Sequence, residues 1–225
     1  MLVRKNAPSH DPVDGHLAAL VGNRAFCSEF KYCKGTEVFG EGEEAEYVYQ
    51  NTSGAVRTYK LLSDGRRQIN SFDLPGDMFG LENGSTHRFT AEAIVETEVR
   101  IMRWQSLLDT MANRETGATN LLGLITRNLQ HAENHMLFLG RKTALEKVAA
   151  FLHEMDIRLD HPNVMALPMS RRDIADYLGL TLETVSRAVS ELYRVSVIDF
   201  RTNDHRRRQI LILDRQRLAN YDLPS

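Results

Sequence analysis

The stretch MSRRDIADYLGLTLETVSRAVSEL, residues 169–192, contains two short amphipathic segments joined by a glycine. Ser170 and Asp173 have the spacing of a capping box that starts the first segment, with Asp173 in place of the usual Glu or Gln. Gly179 suits the left-handed position after a helix end, and Thr181 is placed to cap the next helix. The stretch therefore predicts a helix, a tight turn and a second helix, which together form a helix-turn-helix.

The second predicted helix has one apolar and one polar face, because each residue turns the helix by about 100°. The apolar face holds Val185, Ala188, Val189 and Leu192. The polar face includes Glu183, Ser186, Arg187 and Ser190. Glu183 and Arg187 have i,i+4 spacing, so one interpretation is a surface ion pair that supports its own helix by about 0.2–0.5 kcal/mol. The other is that the polar stripe contacts a partner, and the neighbouring elements favour this second interpretation.

Two strand-like runs follow, SVIDF at 196–200 and QILIL at 209–213, with the polar turn RTNDHRRR between them. They predict a β-hairpin wing whose arginine-rich tip, including Arg207, lies along a phosphate backbone. A solvated loop is the alternative for such a cluster. Residues 140–225 hold 14 Lys/Arg against 12 Asp/Glu, so nucleic-acid contact must come from a local patch. Ahead of the helix-turn-helix, residues 143–159 predict another helix, ended by the segment 161–163, which contains a proline.

Further upstream, residues 105–139 carry apolar side chains in alternating steps of four and three, which is the pattern of a heptad seam. The seam residues are Ala118, Leu122, Ile125, Leu129, Ala132, Met136 and Leu139. A helix face packed on its own domain would show a similar pattern. The strict period favours a partner helix, and a second copy of the chain is the simplest partner, so we predict a two-fold homodimer.

Residues 30–103 have the pattern of an all-β unit. Short runs rich in Val, Tyr, Ile and Phe lie between glycines 42, 54, 65 and 76. Asp64-Gly65 is a strong hairpin signal, and Pro75-Gly76-Asp77 marks another turn. Short strands at this spacing predict a sandwich, barrel or jelly roll.

The bulk composition excludes several classes of protein. The chain has 225 residues, a net charge of −2 and 42% hydrophobic residues, and its apolar runs are too short to cross a membrane. Residues 1–15 have a basic start without an apolar region, so we interpret them as a mobile lead rather than a secretory signal, and expect a cytoplasmic protein. Motifs for nucleophilic, phosphate-loop or zinc-dependent catalysis are absent from the sequence, so we do not expect an enzyme.

In this order of elements, from about Phe30 to Leu213, the chain resembles the CRP/FNR family of bacterial transcription regulators. The most specific part is 169–192, and within it Leu182 followed by ETVSR (183–187) is similar to the FNR and FixK branch. The resemblance implies an α+β fold: an N-terminal β-roll of the jelly-roll, cyclic-nucleotide-binding type, a long dimerisation helix and a C-terminal winged helix-turn-helix. The implied domains are a lead with a short helix at 1–24, the β-roll at 25–110, the dimerisation helix at 111–140 and the DNA-binding domain at 141–225.

The resemblance also implies roles in reading double-stranded DNA. Arg187 would donate to guanine O6 and N7, and Glu183 would accept from the cytosine N4 amino group, while Ser186 and Leu182 would meet a thymine methyl. Phosphate contacts would come from Ser170, Arg171, Arg172, Thr181 and Thr184, with Arg207 added by the wing. The expected site is an inverted repeat of TTGA-like half-sites, bound by a dimeric activator that works with RNA polymerase.

In the cyclic-AMP branch, a G-E-L stretch and a later Arg-Ser pair hold the nucleotide. Here the first stretch reads Gly80-Leu81-Glu82, which displaces the carboxylate by one position, and the Arg-Ser pair is absent, although His87 or Arg88 could face an anion. An iron–sulfur cluster of the FNR kind needs four thiolates, whereas only Cys27 and Cys33 are present. We therefore expect no cofactor and ordinary packing for both cysteines, with oxidation of an exposed cysteine left open.

Two further alternatives rest on histidines. His87 is a conceivable haem ligand, and His131 and His135 have an i,i+4 spacing that can bind a metal, although a solvated helix face is the simpler interpretation. The leading hypothesis is a FixK-like activator without a ligand in the β-roll. The alternative is an effector-gated regulator, in which a small molecule or haem in the β-roll repositions the DNA-binding helices through the seam.

Overall fold

The computed structural model describes residues 3–4, 17, 20–21, 27–82, 85–113, 116–141, 143–201 and 209–221. The chain divides into two compact units, residues 1–130 and 131–225. The first unit contains the β-roll and the second the winged helix-turn-helix, so the predicted α+β class is confirmed. Across the described residues, no helix is both long and apolar enough to cross a membrane.

In the described part of the first unit, nine strands form two antiparallel sheets. The strands are β1 (Val3–Arg4), β2 (Ser28–Tyr32), β3 (Glu37–Phe39), β4 (Tyr47–Ser53), β5 (Val56–Leu61), β6 (Arg67–Asp73), β7 (Met78–Phe79), β8 (Thr90–Ala93) and β9 (Thr97–Arg103). β2 pairs with β9, β3 with β8, β4 with β7 and β5 with β6. This nested pairing folds one long double strand over itself, which is the topology of the predicted jelly roll.

Glycine turns set the ends of these strands. The glycines at 42, 54, 65 and 76 all have φ between 81° and 96°, as expected for turn positions that other residues rarely adopt. The predicted Asp64-Gly65 turn joins β5 to β6, and the Asp64 side chain accepts hydrogen bonds from the backbone N–H and the guanidinium of Arg66. At the other predicted turn, Asp77 Oδ2 accepts from the N–H of Leu74 at 2.7 Å.

Of the segment 1–15 that was predicted to be a mobile lead, Val3 and Arg4 form a strand, and the other residues lie outside the described ranges. Strand β1 pairs with β2, Val3 opposite Lys31 and Arg4 opposite Phe30. Leu17, Leu20 and Val21 are buried in a cluster with residues of the β-roll and of the helices that follow it. Their i, i+3, i+4 spacing forms a helical apolar face, which gains free energy by leaving water.

The segment predicted to change period contains two helices, α1 (Trp104–Ala112) and α2 (Gly117–Arg141). A Cβ at Gly117 would lie 2.2 Å from the carbonyl oxygen of Met111, so glycine permits a tight passage from one helix to the next. Leu124 is buried against the β-roll cluster, with Leu121 half-buried beside it. Helix α2 therefore packs one face on its own unit, while the heptad seam lies on another face.

In the described part of the second unit, four further helices and a small sheet follow α2. They are α3 (Ala144–Arg158), β10 (Met165–Ala166), α4 (Arg171–Leu178), α5 (Leu182–Arg194), β11 (Ile198–Phe200), β12 (Gln209–Ile212) and α6 (Arg215–Asn220). The sheet order is β10-β12-β11, so β10 adds a strand that the sequence did not predict to the two expected wing strands. Buried residues of α3, including Phe151 and Leu152, form the core with Leu178 of α4 and Leu192 of α5.

A charged cluster links α3 to α6. The Asp156 side chain is 1% exposed, and its carboxylate accepts from Arg215 Nε at 2.9 Å, from Arg215 Nη2 at 3.2 Å and from His161 Nδ1 at 2.7 Å. Burial raises the pKa of Asp156, but the hydrogen bonds from Arg215 and His161 outweigh it and hold the pKa below its ordinary value. The carboxylate therefore stays ionised and joins two segments that are far apart in sequence.

Candidate nucleic-acid interface

Helix α4 begins with the predicted capping box. Ser170 Oγ accepts from the backbone N–H of Asp173 at 3.1 Å, and Asp173 Oδ2 accepts from the backbone N–H of Ser170 at 2.9 Å. The Ser170 hydroxyl also donates to Asp173 Oδ2 at 2.6 Å. A phosphate that bound Ser170 would have to replace Asp173 as the acceptor for this hydroxyl proton.

The turn between α4 and α5 has the predicted geometry. Gly179 is left-handed, with φ 63° and ψ 37°, and ends α4 through a hydrogen bond from its N–H to the carbonyl of Ala175. Thr181 caps α5, since its Oγ1 accepts from the N–H of Thr184 at 3.2 Å. The two caps bring the helices together through a turn of only three residues, 179–181.

Helix α5 divides into the two faces that its sequence predicts. Val185, Ala188, Val189 and Leu192 are buried. Glu183 and Arg187 are exposed, while Leu182 and Ser186 are half-buried. The polar face is therefore open to solvent on a helix that its apolar face fixes to the core, as a base-reading helix requires.

Glu183 and Arg187 are directed by the first turn of α5. The pKa of Glu183 is held below its ordinary value by hydrogen bonds from its own backbone N–H and from Thr181, and then by the guanidinium groups of Arg172 and Arg187. Arg187 Nη2 donates to Thr184 Oγ1 at 3.5 Å. The stripe therefore presents an ionised hydrogen-bond acceptor, Glu183, four residues before a cationic donor, Arg187. In a C·G pair, the cytosine N4 amino group donates and guanine O6 and N7 accept, so these two side chains are complementary to the pair.

The candidate phosphate contacts are placed around the start of both helices. Arg172 and Thr181 are exposed, and Thr184 is half-buried. Arg171 is half-buried, and its guanidinium lies 5.8 Å from the centre of the Phe200 ring on the wing strand β11. The wing tip, residues 202–208 with Arg207, lies outside the described residues.

The seven seam residues of α2 are all exposed in the single chain. The exposed fractions of the largest side chains are 64% for Leu122, 52% for Ile125, 56% for Leu129 and 70% for Met136. Leu139, at 38%, is the least exposed of the large seam residues because it approaches Gly179. The alternative of a face packed on its own domain is not observed for these residues.

His135, Cys27 and Cys33 differ in how far their surroundings match the expectations from sequence. His135 is not on a solvated face: its ring stacks on Tyr177 at 4.0 Å between centroids. Cys27 is buried as expected, and burial raises its pKa to about 11, whereas Cys33 is exposed instead of packed. Within the described ranges, no three His, Cys, Asp or Glu side chains are grouped closely enough to hold a metal ion.

The two β-roll residues that the sequence offered for an anion, His87 and Arg88, differ in their surroundings. His87 is 2% exposed, stacks on Phe39 with centroids 3.6 Å apart, and its Nδ1 lies 3.1 Å from Glu82 Oε2. Arg88 is exposed, with its guanidinium over the ring of Phe89. A nucleotide phosphate needs a cation that faces it, whereas here the Glu82 carboxylate lies beside the His87 imidazole.

Two units therefore define the class: a β-roll followed by a winged helix-turn-helix, the organisation of a two-domain DNA-binding regulator. Residues 29–114 match the family model of the cyclic nucleotide-binding domain, and residues 146–221 match the Crp-like helix-turn-helix domain. The chain belongs to the CRP/FNR family of transcription regulators, and it is FixK-like. It is not an enzyme, in agreement with the sequence-based prediction.

The relatives agree with this assignment. The chain is 46% identical over 170 residues to the nitrogen fixation regulation protein FixK of Rhizobium meliloti, which covers 76% of this chain and 77% of that protein. It is 43% identical over 198 residues to FixK of Azorhizobium caulinodans, covering 85% and 77%. The solved structure of FixK2 from Bradyrhizobium japonicum matches with a TM-score of 0.83 and 55% identity, over 89% of this chain and 100% of that one.

Proposed function

We propose that the protein is a transcription activator that binds DNA as a homodimer, at an inverted repeat of TTGA-like half-sites, and then contacts RNA polymerase. The observation that carries this proposal is the polar stripe of α5. The stripe is open to solvent on a helix whose other face is buried, and this helix is the second of a capped helix-turn-helix. The resemblance of Leu182 and residues 183–187 to the FNR and FixK branch supports the half-site.

The homodimer is supported by the seam on α2. Leu122, Ile125, Leu129 and Met136 lie on one helix face and are each more than half exposed in the single chain. Exposed apolar residues at heptad spacing are stabilised by a second helix with the same spacing, because packing removes both surfaces from water. The family acts as dimers, and a two-fold dimer matches an inverted repeat.

The ligand-free mode is supported by the interior of the β-roll. His87 stacks on Phe39 and lies at hydrogen-bond distance from Glu82, and a Cβ at Gly80 would lie 2.7 Å from the Tyr49 ring. Side chains of the chain itself thus fill the neighbourhood of the stretch that binds the nucleotide in the cyclic-AMP branch. We infer that DNA binding needs no cyclic nucleotide and no iron–sulfur cluster.

An effector-gated regulator is the second candidate, and one observation favours it. His87 Nε2 is buried and has no hydrogen-bond partner among the described residues, so a small molecule or a haem that reached it would satisfy this atom. The visible absorption spectrum and the native mass of the purified dimer separate the two candidates. A bound chromophore or additional mass on the active protein would replace the ligand-free proposal with this one.

The test of the proposed function is the selection of bound sites from random DNA, followed by fluorescence anisotropy on the selected site. We expect an inverted repeat with TTGA-like arms, and an affinity that falls steeply as salt is raised, because bound phosphates release counterions. Selection of unrelated sequences, or an affinity that does not respond to salt, would contradict the proposal.

The dimer has its own test in Leu129→Lys. A charge placed in the seam should convert the dimer to a monomer in sedimentation and abolish binding to the inverted repeat at concentrations that saturate the unchanged protein. Gln130→Lys is the matched control, since it adds the same charge at the next exposed position, off the seam. If Leu129→Lys stays dimeric, the interface lies elsewhere.

A further inference from the structure

The C-terminal end of α2 contacts the helix-turn-helix within the second unit. His135 Nε2 lies 2.9 Å from the carbonyl oxygen of Tyr177, the next-to-last residue of α4, and the two rings stack at 4.0 Å with an interplanar angle of 9°. Because a carbonyl oxygen only accepts, Nε2 is the protonated nitrogen and donates this bond. The contact spans 42 residues of sequence.

This bond lies at the C-terminal end of α4. The last four carbonyls of a helix have no partner inside the helix. At the end of α4, the N–H groups of Gly179 and Leu180 both donate to Ala175, so neither is used for the carbonyl of Tyr177. His135 supplies a donor from outside and thereby caps the first helix of the helix-turn-helix from the dimerisation helix.

One turn further along α2, Leu139 approaches the same turn of the helix-turn-helix. Its Cδ2 lies 3.5 Å from the position that a Cβ would occupy on Gly179, the left-handed residue between α4 and α5. The carbonyl of Leu139 accepts from Lys147 Nζ at 3.1 Å, which ties the end of α2 to α3. His135 and Leu139 therefore form one contact surface on successive turns.

Tyr177 transmits the contact to the core. It is 1% exposed and packs edge-on against Phe151 of α3, with ring centroids 5.7 Å apart. Tyr177 is thus held by one ring stacked on it and by a second ring packed edge-on. These contacts fix the end of α4, and the three-residue turn then fixes the start of α5. The position of the base-reading helix therefore depends on a contact that originates on the dimerisation helix.

We propose that His135 is a positioning residue for DNA recognition, which sets the orientation of α5 relative to α2. The inference rests on the proposed function, because orientation matters only when two copies of α5 must meet two half-sites at once. In such a dimer, the distance between the two recognition helices determines which half-site spacing is bound. His135 would thus select the spacing of the inverted repeat without touching a base.

The test compares His135→Ala, His135→Gln and the exposed control Gln130→Ala on inverted repeats with the preferred spacing and with one base pair more or fewer. We expect His135→Ala to bind the preferred site about tenfold more weakly, since one hydrogen bond is lost in each protomer, and to discriminate less between spacings. The Gln side chain places an amide N–H close to the position of Nε2, so His135→Gln should recover most of the discrimination. Gln130→Ala should match the unchanged protein.

The spacing preference separates positioning from simple loss of stability. Equal weakening of His135→Ala at all spacings, together with a lower unfolding midpoint, would assign His135 a structural role only and overturn the inference. Unchanged affinity and spacing preference would overturn it as well. If the unchanged protein itself shows no preference for an inverted repeat, the proposed function fails, whereas a normal preference that His135→Ala retains defeats only the role of His135.

Discussion

Arg187 in the second unit and His87 in the first are basic side chains at positions where the CRP/FNR fold can meet a ligand. Arg187 is exposed on a helix whose other face is buried. His87 is 2% exposed, stacked on Phe39 and held near Glu82. The same chain thus leaves Arg187 open to solvent and packs His87 against its own side chains. A family fold therefore carries a binding function only where the contact residues still face outward.

The largest effect should come from Arg187→Ala. A bidentate arginine–guanine contact contributes about 1–3 kcal/mol of discrimination at each half-site, and the dimer has two. We expect a loss of affinity for the selected site and relaxed preference at the guanine position, measured by anisotropy on sites with single base changes. Arg88→Ala, an exposed arginine of the β-roll, is the control and should bind normally. If the two variants weaken binding alike, the contrast between the units is wrong.

A smaller effect, about 1–3 kcal/mol of unfolding free energy at neutral pH, is expected for Asp156→Asn, which weakens hydrogen bonds to a charged group. The folded-state pKa of Asp156 lies below the unfolded value, so its stabilisation is complete above the unfolded pKa and is lost as pH falls through the folded pKa. Asp156→Asn should therefore lose less stability than the unchanged protein as the solution is acidified.

The measurement for Asp156 uses urea unfolding from neutral pH downward through the ordinary aspartate pKa of about 3.9 and below it. Helix content reports on the second unit together with α1 and α2, while the fluorescence of Trp104, the single tryptophan, follows the first unit alone. We expect Asp156→Asn to shift the helix signal. The exposed Glu133→Gln serves as the control and should not shift it. The same shift in both variants would show that Asp156 has no special role.

The smallest effect should be that of cyclic AMP on the first unit. A ligand at about 100 times its dissociation constant stabilises the folded state by about 2.7 kcal/mol. Because His87 and Glu82 face each other where the phosphate would need a cation, we expect no shift of the unfolding midpoint on adding the nucleotide. Calorimetric titration checks the same point. Saturable binding would show that the β-roll retains its ligand and would remove the difference between the units.

The helix-turn-helix could be predicted almost completely because its signals are local. Ser170, Gly179 and Thr181 each act on neighbours within four residues, and the structure confirms all three roles. The side-chain faces of α5 follow from periodicity alone. Local caps and period together thus fix a short motif before any long-range contact is known.

Contacts between distant residues could not be predicted in this way. The role of His135 depends on Tyr177, 42 residues away, and the ion pair of Asp156 depends on Arg215, 59 residues away. The sequence paired His135 with His131 and assigned Leu139 to the seam, but no local pattern showed that His135 and Leu139 approach the helix-turn-helix. The strand pairing of the jelly roll could not be predicted for the same reason. β2 pairs with β9, although the rest of the β-roll lies between them in the sequence.

The exposed seam on α2 also affects how the concentration of the protein determines occupancy of its DNA site. If two copies must meet before an inverted repeat is bound, the dimer concentration at low expression rises with the square of the chain concentration, so doubling synthesis gives about four times as many dimers. Occupancy of the promoter would then follow expression more steeply than linearly. A regulator that dimerises through such a seam can in this way be switched by its own synthesis and turnover.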